Sequence, residues 1–123
     1  HVSVKPTQLG LDQDPEICQR NLDVLVDRAV ERNNFVWIDM EESHYVDPTL
    51  GIFREIRASH ANVGLCLQAY LHRTPMDIET LLSLQPSIRL VKGAYREPAA
   101  RALARMESCD LERLRSLTLC VER

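Results

Sequence analysis

No stretch of this 123-residue chain is apolar for long enough to cross a membrane as a helix, and no signal-peptide pattern is visible in it. Basic residues are not in surplus: 15 Lys and Arg stand against 18 Asp and Glu, a formal net charge of -3. A nucleic-acid-binding face needs the opposite balance. The four cysteines, Cys18, Cys66, Cys109 and Cys120, include no C-x-x-C pair. That points to reduced thiols in a cytosolic protein, not to a disulfide framework or a zinc site. No metal-ligand spacing joins His44, His60 and His72, and Asp39, Glu41, Glu42 and His44 read as a solvated loop. No glycine-rich fingerprint follows the first apolar run, which weakens a dinucleotide-binding fold.

What is present is an ordinary globular balance, 45% hydrophobic and 27% charged, in a length that suits one modest domain with a core. The chain opens at His1 directly before what reads as a strand, so the expectation is a piece of something longer.

Strand and helix signals alternate. "HVSVK" (1–5) alternates valines. Asp14-Pro15-Glu16 then reads as an N-cap, a first-turn proline and an acidic first turn. Cys18, Leu22, Leu25, Val26 and Ala29 follow at helical spacing as far as Asn33-Asn34. "FVWIDM" (35–40) is a second strand, and Asp47-Pro48 opens a helix with Ile52, Phe53 and Ile56 on one face. "VGLCLQAYL" (63–71) is a third strand. Thr74-Pro75-Met76-Asp77 resembles a capping box and opens a helix through Ile78, Leu81 and Leu82. "SIRLVKG" (87–93) is the fourth strand. The runs look continuously apolar, as parallel strands covered on both faces do. The fold class is α/β with parallel strands, about four βα units. It is either an open doubly wound sheet or, the better reading, part of a (β/α)8 barrel of the TIM type.

Barrel chemistry sits at the carboxyl ends of the strands. Lys5, Asp39, Gln68 with Tyr70, and then Arg89, Lys92 and Tyr95 fall at or near those ends. Parallel strands bring them to one rim, as an apolar pocket with anion contacts, one amide and one carboxylate requires. Each also has a plain structural reading. For Arg89, which interrupts an apolar strand, that reading is an ion pair with Asp39 across neighbouring strands.

"VSVKPTQLGL", "WIDMEES", "LQAYLHRT" and "IRLVKGAYREP", in this order and spacing, resemble the proline dehydrogenases over about residues 1–98. The resemblance implies FAD-dependent oxidation of L-proline to Δ1-pyrroline-5-carboxylate, the first step of its degradation to glutamate, on a (β/α)8 barrel. By it, Asp39 and Arg89 belong to the active site, Lys5 lies near the flavin and the proline carboxylate, and Tyr95 packs on the proline ring. Met40, Gln68, Arg89, Lys92, Gly93 and Ala94 contact the flavin. The family passes its electrons to membrane quinones, so the resemblance implies a cytoplasmic protein that touches a membrane.

The family's carboxylate-gripping Tyr-x-x-Arg-Arg element is absent from this sequence. Residues 99–123 do not match the family's continuation and read as an atypical helical tail, with truncation or a frame change as alternatives. Half a barrel is therefore expected, completed by its missing half or by self-association. The competing expectation is a non-catalytic α/β fragment that keeps the motifs without turnover.

Overall fold

A computed structural model describes residues 1–103. The strands are β1 (Val2–Val4), β2 (Val36–Ile38), β3 (Val63–Gln68) and β4 (Ser87–Val91), and the helices are α1 (Pro15–Glu31), α2 (Val46–Ser59) and α3 (Thr74–Leu81). The expected helical tail, beyond its first five residues, lies outside the described residues.

Local chemistry sets the start of α1. The Asp14 carboxylate accepts the Glu16 backbone N–H at 2.8 Å, Pro15 fills the first turn, and Asn33 turns the chain out at φ 50°. The helix buries Cys18, Leu22, Val26 and Ala29, whereas Leu25 is exposed on its flank. The second helix begins at Val46, just ahead of Asp47-Pro48, and buries Leu50, Ile52, Phe53 and Ile56.

The expected capping box at Thr74 does not form. Arg73 is the N-cap, the Thr74 hydroxyl donates to the Gln68 carbonyl at 2.5 Å, and Asp77 accepts from Arg73 at 2.8 Å. The buried carbonyl at the end of β3 and the arginine take both groups that a box would need. Leu82 is exposed.

The sheet order is β1-β2-β3-β4, every pair parallel. A doubly wound sheet reverses direction at a switch point; this one does not. Right-handed crossovers that always advance in one direction place every helix on the same face, which is the arrangement of a barrel segment. Val36, Ile38, Val63, Leu65 and Leu67 pack against the helices, with Ile88 and Leu90 at the margin.

Alternation sends the intervening residues to the opposite face. There, one register row holds Ser3, Trp37, Gly64 and Ser87. The expectation of strands covered on both faces is met only by β3, which is buried throughout. Val2 and Ser3 are exposed and β4 is half-buried along its length. The face turned away from the helices carries Ser3, Cys66, Gln68 and Arg89, not a second apolar layer.

Candidate functional site

Two residues beyond the Ser3 row lies a second row on the same face: Lys5, Asp39, Cys66 and Arg89, with Cys66 and Arg89 in direct register. Arg89 Nη2 donates to Asp39 Oδ1 at 2.6 Å and to Ser3 Oγ at 3.3 Å. Its guanidinium also stands 5.3 Å from the centre of the Trp37 ring.

The ion pair does not join neighbouring strands, because β3 runs between β2 and β4. It crosses where β3 offers only Gly64 and Cys66. At Gly64 even a Cβ would come within 2.5 Å of Trp37 Cζ3, so the missing side chain is what lets the indole lie across β3. Nor is the arginine a buried cation: its side chain is 42% exposed and that of Asp39 27%, which keeps the pair's net worth small.

One row further on, the buried Gln68 donates through Nε2 to the carbonyls of Met40 (2.8 Å) and Glu41 (3.0 Å). Two acceptors on one side require the NH2 to face them. The amide oxygen Oε1 is thereby left buried with no protein partner, whereas the Arg89 guanidinium is held by the Cys66 thiol as well as by Asp39.

Glu41 is not the solvated loop residue the sequence suggested. It is buried, and its carboxylate accepts both the backbone N–H of Thr7 (2.9 Å) and the Thr7 hydroxyl (2.8 Å). It thus ties the turn after Lys5 to the end of β2. Behind it, the Cys18 thiol donates to the Pro6 carbonyl at 3.5 Å. Burial, helped by the Glu41 charge, pushes that thiol up to about 11.

Past β4 the chain turns at Gly93, φ 121°, against the Tyr70 ring. A Cβ there would lie 2.2 Å from Tyr70 Cδ1, so both the dihedral and the contact require glycine. The Tyr70 hydroxyl donates to the Tyr95 carbonyl at 3.0 Å. Burial raises the Tyr70 phenol above its ordinary range, and the Glu97 charge adds to the effect.

These elements surround one open cavity of about 430 Å³. Its wall includes Lys5, Asp39, Met40, Gln68 and Arg89 from the first three strand ends and β4, and Lys92, Gly93, Ala94 and Tyr95 from the turn after β4. Nine of the ten residues singled out in the sequence meet there; the tenth, Tyr70, does not line it and acts instead as the prop behind Gly93. Cys66 and Val91 complete the wall and were not anticipated. Counting in twos from Gly64 and from Arg89 would have found both.

The three histidines do not converge. His44 and His72 flank a second cavity of about 410 Å³ beside Arg73 and Arg101. His60 lies next to the start of β3, bonded to Asp27 at 2.9 Å.

The main cavity combines three cations, one carboxylate and an unpartnered acceptor beside apolar wall atoms. Such a set suits a planar ligand with a polar edge and an anionic substrate lying next to it.

Comparison with known proteins agrees with this geometry. The model of the proline dehydrogenase family matches residues 1–109. Proline dehydrogenase 2 of Bacillus subtilis is 42% identical over 110 residues, 89% of this chain and 36% of that protein. The Deinococcus radiodurans proline dehydrogenase is 39% identical over 109 residues, 83% of this chain and 34% of that protein. The chain thus spans about a third of the length of these relatives. Among solved structures, proline utilization A from Bdellovibrio bacteriovorus, inactivated by N-propargylglycine, superposes with a TM-score of 0.68 at 28% identity, covering 77% of this chain and 12% of that one. With four parallel strands in barrel order, and a family match that runs through every strand and the whole wall of the cavity, this chain belongs to the proline dehydrogenase family.

Proposed function

We propose that this chain contributes the flavin-facing wall of a proline dehydrogenase barrel, and that the complete protein oxidises L-proline to Δ1-pyrroline-5-carboxylate with FAD. The observation that carries this reading is the buried, unpartnered amide oxygen Gln68 Oε1 at the cavity, beside the Arg89 guanidinium. The pyrimidine edge of an oxidised flavin presents an N–H flanked by carbonyls, which needs one acceptor and nearby donors. Gln68 supplies the acceptor, fixed in orientation by Met40 and Glu41. Arg89 supplies the donor together with a permanent positive charge.

Bound there, the flavin supplies the hydride acceptor for the carbon next to the proline nitrogen. The chain's own residues bind and orient. Arg89, held against Asp39 and over Trp37, favours negative charge at the flavin edge. Gly93 and Ala94 allow close backbone approach, and Lys92 adds a cation at the rim. Lys5 offers an ammonium to the substrate carboxylate, and Tyr95 an apolar ring face to the proline ring.

A membrane quinone is the proposed acceptor for the reducing equivalents, with a cytoplasmic protein meeting the membrane at its surface. No helix among the described residues is long and apolar enough to cross one. The sheet edges at β1 and β4, unpaired among the described residues, are proposed to be closed by the other half of the barrel, or by a second copy of this chain.

The test is an anaerobic visible spectrum of the chain with FAD, before and after L-proline. Bound flavin that bleaches makes these strands sufficient for turnover. Bound flavin that stays oxidised assigns the cofactor wall here and the substrate grip elsewhere in the barrel. No bound flavin favours the alternative, a non-catalytic α/β fragment.

A further inference from the structure

After Val91 the chain does not leave the rim; it folds back across the end of β3. Tyr70 N–H donates to the Lys92 carbonyl at 3.1 Å, and the Leu103 N–H returns to the Tyr70 carbonyl at 2.9 Å. His72 N–H donates to the Arg101 carbonyl at 2.9 Å. One further contact reaches past β3 altogether. Glu97 Oε1 accepts the Ser43 backbone N–H at 2.7 Å, and Glu97 Oε2 accepts the Ser43 hydroxyl at 2.6 Å. Arg101 Nη1 in turn donates to that hydroxyl at 3.0 Å.

Ser43 opens the turn that runs into α2, so this carboxylate ties the segment after β4 to the segment after β2, 54 residues away in the chain. Between β4 and the clasp lie Lys92, Gly93, Ala94 and Tyr95, four consecutive wall residues of the main cavity. At Gly93 that stretch adopts a backbone conformation open chiefly to glycine, and Lys92 and Ala94 are exposed, so it has little packing of its own to hold it.

We infer that Glu97 is a positioning residue: by clasping Ser43 with both carboxylate oxygens it holds residues 92–95 in place as the cavity wall. The inference rests on the cavity being the flavin site. Two oxygens meeting two donors of one residue fix direction as well as distance, and a charged acceptor makes both bonds stronger than neutral ones. The wall is propped from beneath by Tyr70 and anchored beyond first by Glu97, then by the backbone bonds of residues 101–103 to the end of β3. Removing the anchor leaves the strand intact and frees the loop.

The experiment compares the whole chain with Glu97→Ala, Ser43→Ala, the double variant and Ser43→Thr, by amide hydrogen exchange without flavin and by FAD fluorescence titration. Exchange at the Ser43 and Tyr70 amides, whose N–H groups donate to Glu97 and to the Lys92 carbonyl, is expected to speed up in Glu97→Ala and, less strongly, in Ser43→Ala, while the amides of β3 keep their protection. FAD affinity is expected to fall about tenfold in Glu97→Ala. The double variant should be no worse than Glu97→Ala, because both changes break one contact. Ser43→Thr, which keeps hydroxyl and N–H, should restore both readouts.

Unchanged exchange in Glu97→Ala overturns the clasp. Faster exchange with wild-type FAD affinity overturns its role in positioning the wall. If the unaltered chain binds no FAD, the flavin reading fails, and the exchange rates alone decide whether Glu97 holds the loop.

Discussion

Arg89 on β4 and Asp39, just past the end of β2, meet at 2.6 Å across an entire intervening strand, because β3 presents only a glycine and a cysteine beneath them. The pair is solvent-accessible on both sides and so adds little to folding. Its placement over the cavity is better explained by ligand binding than by stability.

Arg89→Met separates the two roles. Its unfolding free energy in urea should change by no more than about 1 kcal/mol. FAD affinity, followed by flavin fluorescence on the same samples, should fall about tenfold or more. Equal affinity in wild type and variant would remove Arg89 from the flavin site.

Three glycine-to-alanine changes should differ in sign. Gly93→Ala meets both a positive φ and the Tyr70 ring and should destabilise by at least about 2 kcal/mol. Adding Tyr70→Leu should recover only part of that, since the backbone strain remains. Gly64→Ala pushes on Trp37 and should cost roughly 1–3 kcal/mol. Gly51→Ala, inside α2 with nothing within 4 Å of the new methyl, should stabilise by about 0.5–1 kcal/mol. Denaturant midpoints measure all of these, and a destabilised Gly51→Ala would contradict the open space seen there.

Gln68→Leu removes the donor from two carbonyls and the free acceptor from the cavity. A stability loss of about 1–3 kcal/mol is expected, together with weaker FAD binding. Calorimetry with FAD on the folded variant checks the second part; undiminished affinity would leave Oε1 without the proposed partner.

The pH dependence of stability should show two limbs. Asp47 is held below its ordinary 3.8 first by its bond to Arg73, so that contribution is present above pH 3.8 and lost as pH falls through the lower folded value. Arg73→Met should flatten this acid limb. Cys18 is neutral in the fold up to about 11 but ionises from 9.0 once unfolded, so stability should decline between pH 9 and 11, by on the order of 2 kcal/mol. Cys18→Ala, less stable throughout, should lose the part of that decline that sets in from pH 9 in a series of urea titrations, leaving the part that the raised Tyr70 phenol adds above pH 10. An unchanged alkaline slope would place the thiol in water.

What could be read from the sequence was what local chemistry decides. Asp14-Pro15 starts α1 through a bond two residues long, and the strands announced themselves as apolar runs between turn residues. Six of the nine wall residues, Lys5, Asp39, Gln68, Arg89, Lys92 and Tyr95, were legible because parallel strands align their ends; Met40, Gly93 and Ala94 were implied only by the family resemblance. Where the sequence misled, a partner distant in the chain intervened. Thr74 turned from capping its own helix to the Gln68 carbonyl. Glu41, one of three acidic residues in a row of four, was captured by Thr7, 34 positions away. Leu25 and Leu82 fit a helical period but are exposed among the described residues. Cys66 and Val91 looked like core because nothing in an apolar run says which of its two faces is the wet one.

That two-faced construction makes this stretch of chain unusually intolerant of length change. Along β4, Ile88 and Leu90 face the helices while Arg89 faces the cavity. Deleting a single residue ahead of Ile88 would exchange the two sets, turning a guanidinium into the oily layer and two aliphatic side chains onto the ligand. Substitutions here can be graded; insertions and deletions cannot. Variation in length among relatives should therefore collect in the turns and leave the strands themselves untouched.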